Sequence, residues 1–317
     1  MPTIFRRRTI FSSALSLALS ATILSWTGIL PTLAQDGSTI TVATDQGEKS
    51  VPANPETIAV YDLAAIDTLD ALGVEIDGVP TAVYPNYLEK FAGADYAKVG
   101  TLFEPDFEAV NALQPDLVVV GGRSRTQSEA LSQIAPTIDM SVDNEDFLQN
   151  AFDRAHALGS IFDKADEADA KIAALKSSIE DLKAKAAGAG KGLILLTTGN
   201  RVSAFGPGSR FGVLHSGYGI EPADTGLDTG NHGEAVSFEY IAKIDPDWIF
   251  VIDRDAAIGR GSAASLLDNE LVHGTKAWRN DRVVYLDPAL WYLAASGLQS
   301  MQASVDQISE ALSKNGS

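Results

Sequence analysis

One segment of the chain occurs twice. Asp106-Phe-Glu-Ala-Val-Asn-Ala-Leu-Gln-Pro-Asp-Leu-Val-Val-Val-Gly-Gly-Arg123 returns as Ser237-Phe-Glu-Tyr-Ile-Ala-Lys-Ile-Asp-Pro-Asp-Trp-Ile-Phe-Val-Ile-Asp-Arg254, at a constant offset of 131 residues and without a gap. Phe107/Phe238, Glu108/Glu239, Pro115/Pro246, Asp116/Asp247, Val120/Val251 and Arg123/Arg254 are identical. Each copy reads as a short helix, a Pro-Asp turn, a buried strand and an arginine just past the strand's end. A repeat of this kind predicts two similar α/β lobes, each presenting a cation at the carboxyl edge of a sheet, the edge where open α/β sheets bind ligands. With the lobes facing each other, the two arginines line one cleft, and that cleft selects an anion.

The length of 317 residues allows two domains, and 45% apolar residues fit a globular chain. Residues 1–34 read as an export leader. Arg6, Arg7 and Arg8 form a basic start, Ile10 to Leu30 is apolar, and Thr32-Leu33-Ala34 is a small-residue cleavage site; an uncleaved membrane anchor is the alternative. Arg7-Arg8 also loosely fits a twin-arginine signal. The chain has no cysteine, which excludes disulfides, thiolate metal sites, cysteine nucleophiles and a lipobox anchor. Export without a lipid tether implies the periplasm. The formal charge is −18, and losing the leader's three arginines brings it to about −21 (−18 less 3). That argues against nucleic acid and anionic membrane surfaces as partners. A cationic cleft stands out against such an acidic background.

The hydrophobic pattern divides the chain into a first α/β lobe over 35–143, a helical connector over 144–190 and a second α/β lobe over 191–317. Lys164 to Ala187 lacks Pro and Gly and places Ala168, Ile172, Leu175, Ile179 and Leu182 on one face, which predicts a long strut helix between the lobes; a surface helix of one lobe is the alternative. Gly78-Val-Pro is read as the opening of a loop bearing Tyr84 and Tyr87.

Nine arginines follow the leader. Arg123 and Arg254 end equivalent strands, and Arg210 lies in the glycine-rich loop Gly206-Pro-Gly-Ser-Arg-Phe-Gly212. Any one of them is as well explained by a surface salt bridge, but their symmetric placement favours an oxyanion site. The loop lacks both the Walker ending and the GxGxxG spacing of nucleotide sites. His232, in a flexible polar loop, and Tyr292, past a strand end, offer one imidazole and one phenolate to a ferric ion; a loop histidine and a core tyrosine are the simpler readings of the residues alone. No GxSxG, HExxH or clustered metal ligands are present, so binding fits better than catalysis.

The texts Ser203-Ala-Phe-Gly-Pro-Gly-Ser-Arg-Phe-Gly212, Asn231-His-Gly233, Ser237-Phe-Glu-Tyr-Ile241, Asp247-Trp-Ile-Phe-Val-Ile-Asp-Arg-Asp-Ala-Ala-Ile-Gly259 and Tyr285-Leu-Asp-Pro288 with Trp291-Tyr-Leu293 resemble the periplasmic ferric-siderophore-binding proteins of ABC importers, in particular the catecholate branch. The resemblance covers nearly the whole chain after the leader and is weaker in the first lobe. It implies two Rossmann-like α/β lobes joined by a single long helix, with the ligand cleft between them. It also implies that Arg123, Arg210 and Arg254 contact an anionic ferric catecholate, with Trp291 beside them. His232 and Tyr292 would complete the iron shell of a siderophore that supplies four donors, and Glu108 and Glu239 would dock on the membrane permease. The implied function is capture and delivery by a monomer without a permanent cofactor, Fe(III) arriving as the siderophore complex. A carrier of the same fold for haem, cobalamin or ferric hydroxamate is the first alternative, and a periplasmic metal-binding enzyme or chaperone the second.

Overall fold

The structure is a computed structural model that describes residues 38–260 and 264–314; the leader at 1–34 lies outside them. A two-stranded antiparallel hairpin, β1 (Thr39–Thr44) and β2 (Gly47–Pro52), precedes the first lobe. That lobe comprises β3 (Ile58–Val60), α1 (Leu63–Ala71), β4 (Gly78–Thr81), β5 (Ala97–Thr101), α2 (Phe107–Leu113), β6 (Leu117–Val120), α3 (Ser128–Leu131) and β7 (Thr137–Asp139). Its strands run in the order β5-β4-β3-β6-β7, all parallel. The chain starts in the middle of the sheet, winds outward one way and then the other, which is the doubly wound pattern.

Two helices follow, α4 (Phe147–Ile161) and α5 (Ala165–Ala186). The second lobe then contains β8 (Lys191–Thr198), β9 (Arg201–Phe205), α6 (Val213–Ser216), β10 (Glu221–Pro222), β11 (Glu234–Val236), α7 (Phe238–Ile244), β12 (Trp248–Asp253), α8 (Arg254–Ala257), α9 (Glu270–His273), α10 (Lys276–Arg279), β13 (Val283–Tyr285) and α11 (Leu298–Lys314). Its sheet, β11-β9-β8-β12-β13, is mixed: β8, β12 and β13 are parallel, whereas β9 and β11 run antiparallel to their neighbours.

The repeat folds twice in the same way. Helices α2 and α7 end at Gln114 and Asp245, both left-handed with φ 51° and 48°. The proline that follows each cannot continue the helix and disfavours αR for the residue before it. The repeated aspartate stitches the next strand to the lobe's first strand. Asp116 Oδ2 accepts from the amides of Glu56 and Thr57 at 3.0 and 2.9 Å, and Asp247 Oδ2 accepts from that of Lys191 at 2.9 Å.

Two features differ from the sequence reading. Gly78-Val-Pro is a strand, β4, hydrogen-bonded on both sides, not a loop. Pro80 lacks an amide proton, and the ladder to β5 shifts register between Val79 and Thr81 at that point. The long helix, about 33 Å at 1.5 Å per residue, buries the five residues that its periodicity singled out. But Ile172, Leu175, Ile179 and Leu182 all lie in the second lobe's core and no residue of the helix joins the first's, so it packs on one lobe, and the helix that reaches both cores is α4. α4 places Phe147, Ala151 and Phe152 in the second lobe's core and Leu158 and Ile161 in the first's. The chain also returns to the first lobe after β13, where Leu293 and Ala294 join its core.

That return is pinned by a buried carboxylate. Asp67 of α1, 0% exposed, accepts from the amides of Gln299 and Ser300 at 2.8 and 3.0 Å and from the Tyr87 hydroxyl at 2.5 Å. It thereby caps the free amides at the start of α11 from the opposite lobe.

Candidate functional site

The described residues form one compact unit, and a cleft of about 1120 Å³ opens between the two sheets. The first lobe lines it from the carboxyl ends of its strands: Asp62 after β3, Phe103 after β5, Gly122 and Arg123 after β6, and Ser141 to Asn144 after β7. The second contributes Arg201 and Ser203 from β9, Arg210 from the glycine-rich loop, His232, Arg254 at the start of α8, and Tyr292.

Tyr292 lies on a turn with π-helical spacing, residues 289–293. Such turns are rare and are often found at functional sites. Asp287 anchors it by accepting from the Ala289 amide at 2.9 Å. Three arginines from three separate segments converge on Tyr292. Arg123 and Arg210 donate through Nη2 to its carbonyl oxygen at 2.7 and 2.6 Å, and Arg254 donates through Nε to its phenolic oxygen at 3.2 Å. The guanidinium carbons of Arg210 and Arg123 also sit 4.2 and 5.1 Å from the ring centroid.

Gathering three like charges has a measurable consequence. Burial first, and then the nearby Arg123 charge, push the Arg210 pKa down to about 10. Burial alone would raise the Tyr292 phenol, but the Arg254 hydrogen bond and the charges of Arg210 and Arg123 outweigh it, and the net shift is downward. The cleft therefore gathers three guanidinium groups, one of which, Arg254, has Asp255 Oδ1 3.6 Å from its Nη1; of the acids lining the cleft, Asp62 caps α1 through the Ala65 amide at 2.9 Å. It also holds a phenol made easier to deprotonate, as binding to a hard cation requires.

The other residues singled out from sequence fall as follows. His232 is exposed in a turn lining the same cleft. Glu108 and Glu239 are exposed in the first turns of α2 and α7, at equivalent places on the two lobes and away from the cleft lining. Trp291 requires correction. It is 2% exposed, edge-on to Tyr218 with centroids 6.0 Å apart, and its Nε1 donates to Gln307 at 3.3 Å. The turn directs Tyr292 to the cleft and its neighbour Trp291 into the core, so Trp291 supports the turn and does not touch the cavity. Tyr84 is core and Tyr87 belongs to the Asp67 junction.

Sequence reasoning missed Phe103, Arg125 and Arg201 in the lining. Arg125 is held by Asp45 at 2.5 Å and Asp139 at 3.6 Å. Arg201 opens β9 directly after the Gly199-Asn200 turn, and a strand-start arginine in a hairpin has no motif to mark it. Among the described residues no group of three or more His, Asp or Glu side chains is placed to hold a metal ion, and no helix is long and apolar enough to cross a membrane.

Comparison with known proteins agrees with this geometry. The sequence model of the family described as periplasmic binding protein matches residues 58–290. The chain is 40% identical over 274 residues to the petrobactin-binding protein YclQ of Bacillus subtilis, covering 85% of this chain and 86% of that one. The solved structure of YclQ superposes with a TM-score of 0.84, covering 87% of this chain and 99% of its own. The ferric-anguibactin-binding protein FatB of Vibrio anguillarum is 30% identical over 94% of this chain and 98% of its own. The periplasmic catecholate-siderophore-binding protein VctP of Vibrio cholerae is 28% identical, with a TM-score of 0.80 over 86% of this chain and 99% of its own.

Proposed function

The chain belongs to the periplasmic binding protein family, and from that premise we propose that it captures an anionic ferric siderophore of catecholate type in the periplasm and delivers it to an ABC permease. The observation that carries the reading is the convergence of Arg123, Arg210 and Arg254 on Tyr292 within an interlobe cleft. Three doubly charged catecholates around Fe(III) leave a net charge of about −3 and two leave about −1, so either complex is an anion for three guanidinium groups that are charged at neutral pH and suited to oxyanions. The similarity to carriers named for petrobactin, anguibactin and catecholate siderophores supports the same class of cargo.

The role is capture and release, with no chemical conversion of the cargo. For a cargo that offers the iron four donors, His232 and the phenolate of Tyr292 supply the remaining two. Glu108 and Glu239, one at each lobe tip, offer the permease a pair of acids. The chain acts as a monomer and carries no resident cofactor, the iron being cargo.

The test is spectroscopic. The ferric-catecholate charge-transfer band of a bis-catecholate should shift when it binds the wild-type protein, and the shift should disappear in Tyr292→Phe while binding weakens. Absence of any binding by the wild type would refute the cargo; binding with an identical shift in Tyr292→Phe would refute the iron-ligand role alone.

A further inference from the structure

We infer that Phe103 is an aromatic platform that stacks on a catechol ring of the cargo, making this rim residue of the first lobe a determinant of aromatic over non-aromatic ferric complexes. The inference rests on the proposed cargo class and adds to it the contact that selects within that class. Among the described residues Phe103 is the most exposed of the large apolar side chains, at 59%, yet it lines the cleft. The other aromatic rings of the lining are committed: Phe147 is buried, the Tyr292 ring carries Arg210 and Arg123 against it, and the His232 imidazole is assigned to the iron. Phe103 is thus the aromatic lining residue with surface to spare for a ligand.

The loop that carries it is built to hold it still. Gly100, at φ +114°, lets the chain turn where a side chain would collide with the Glu104 carbonyl and the Asp106 amide. Gly100 pairs with Pro105 across the loop. The Thr101 amide donates to the Glu104 carbonyl at 2.8 Å, and the Asp106 amide to the Val99 carbonyl at 2.8 Å. The Thr101 hydroxyl oxygen accepts from the amides of Phe103 and Glu104 at 3.2 and 3.0 Å. Leu102 packs inward against the first lobe's core, so its neighbour faces out. A loop held by these hydrogen bonds gives up little backbone freedom when its exposed ring meets a ligand, leaving only the side-chain torsions to be ordered, which is how preorganisation strengthens binding. Offset stacking of aromatic rings adds to the area they bury.

The experiment titrates full-length mature protein, as wild type, Phe103→Ala and Phe103→Tyr, with a ferric bis-catecholate and with ferric citrate, which is anionic but has no ring. We expect Phe103→Ala to weaken the bis-catecholate by roughly tenfold, to leave ferric citrate within about twofold, and Phe103→Tyr to restore wild-type affinity. A bis-catecholate affinity unchanged in Phe103→Ala overturns the platform while leaving the cargo class intact. An equal loss for both complexes also overturns it, since ring recognition would then not be involved. Failure of the wild type to bind the bis-catecholate overturns the cargo class and the platform together. Because Phe103 is exposed, circular dichroism should show all three proteins equally folded.

Discussion

Replacing Asp67 by asparagine should raise the protein's stability relative to wild type as the pH climbs from 4 to 8. Asp67 is fully buried at the lobe junction and accepts two α11 amides and the Tyr87 hydroxyl. Burial is the largest influence on it, and despite those hydrogen bonds its pKa is raised from 3.8 to about 7. The folded state therefore holds this proton more tightly than the unfolded chain. The group's contribution to stability is fully present below about pH 4 and is lost as pH rises through about 7. A shift of about three units at about 1.36 kcal/mol each gives an upper bound of about 4 kcal/mol across that window. Asparagine carries no charge but keeps a single acceptor oxygen, so of the two α11 amides, which bond to Oδ1 and Oδ2 respectively, one loses its acceptor at every pH. Thermal melts of the two proteins at pH 4 and pH 8 should show the variant's Tm below wild type at pH 4, where the lost acceptor acts alone, and raised relative to wild type by several degrees between pH 4 and pH 8, at roughly 2 °C per kcal/mol for a chain of this size. Asp67→Ala, which leaves two buried amides without an acceptor, should melt lower at both pH values. A Tm difference for Asp67→Asn that is independent of pH, or that is more unfavourable at pH 8, would refute the reasoning, because the carboxylate would then be a charged and stabilising cap.

Three other outcomes follow from the same geometry. Arg254→Ala should weaken a ferric bis-catecholate by more than about tenfold, the loss of one charge-assisted contact, with an unchanged circular dichroism spectrum. Spectrophotometric titration of the free protein should find a tyrosine ionising below the ordinary value of 10 that vanishes in Tyr292→Phe, since the phenol of Tyr292 is shifted down while those of Tyr61, Tyr84, Tyr218, Tyr240 and Tyr285 are shifted up by burial. Gly297→Ala should cost about 1–3 kcal/mol in chemical denaturation, because a Cβ there would lie 2.5 Å from Asp67 Oδ1 and push the junction apart.

What the sequence revealed and what it hid follow from how far apart the interacting residues lie. The repeat was legible because its logic is local: a helix, a proline that ends it and an aspartate that caps the neighbouring strand. The long helix was legible from its apolar spacing alone. Arg123 and Arg254 were legible by symmetry and Arg210 from its glycine-rich loop, and their convergence on Tyr292 adds what neither could, a residue on which all three meet. Trp291 and Tyr292 are adjacent in sequence and face different sides of their turn, as neighbours on any helical turn do, and the sequence alone does not say which of the two faces the cavity. Pro80 concealed a central strand, since a missing amide proton reads as a break when a bulge can absorb it. Asp67 lies next to the buried stripe of α1, and its partners are more than two hundred residues away, so no pattern within the helix marks it as a cap. Phe103 was missed for a related reason: one aromatic residue in a short loop carries no periodicity.

The most direct test of the central claim is a paired calorimetric titration of the mature protein with an anionic ferric bis-catecholate and a neutral ferric hydroxamate. Three guanidinium groups aimed into one cleft predict saturable one-to-one binding of the catecholate at least about a hundredfold tighter than the hydroxamate, roughly 2.7 kcal/mol. Equal affinities, or preference for the neutral complex, would contradict the claim that the arginines around Tyr292 select the cargo by its charge.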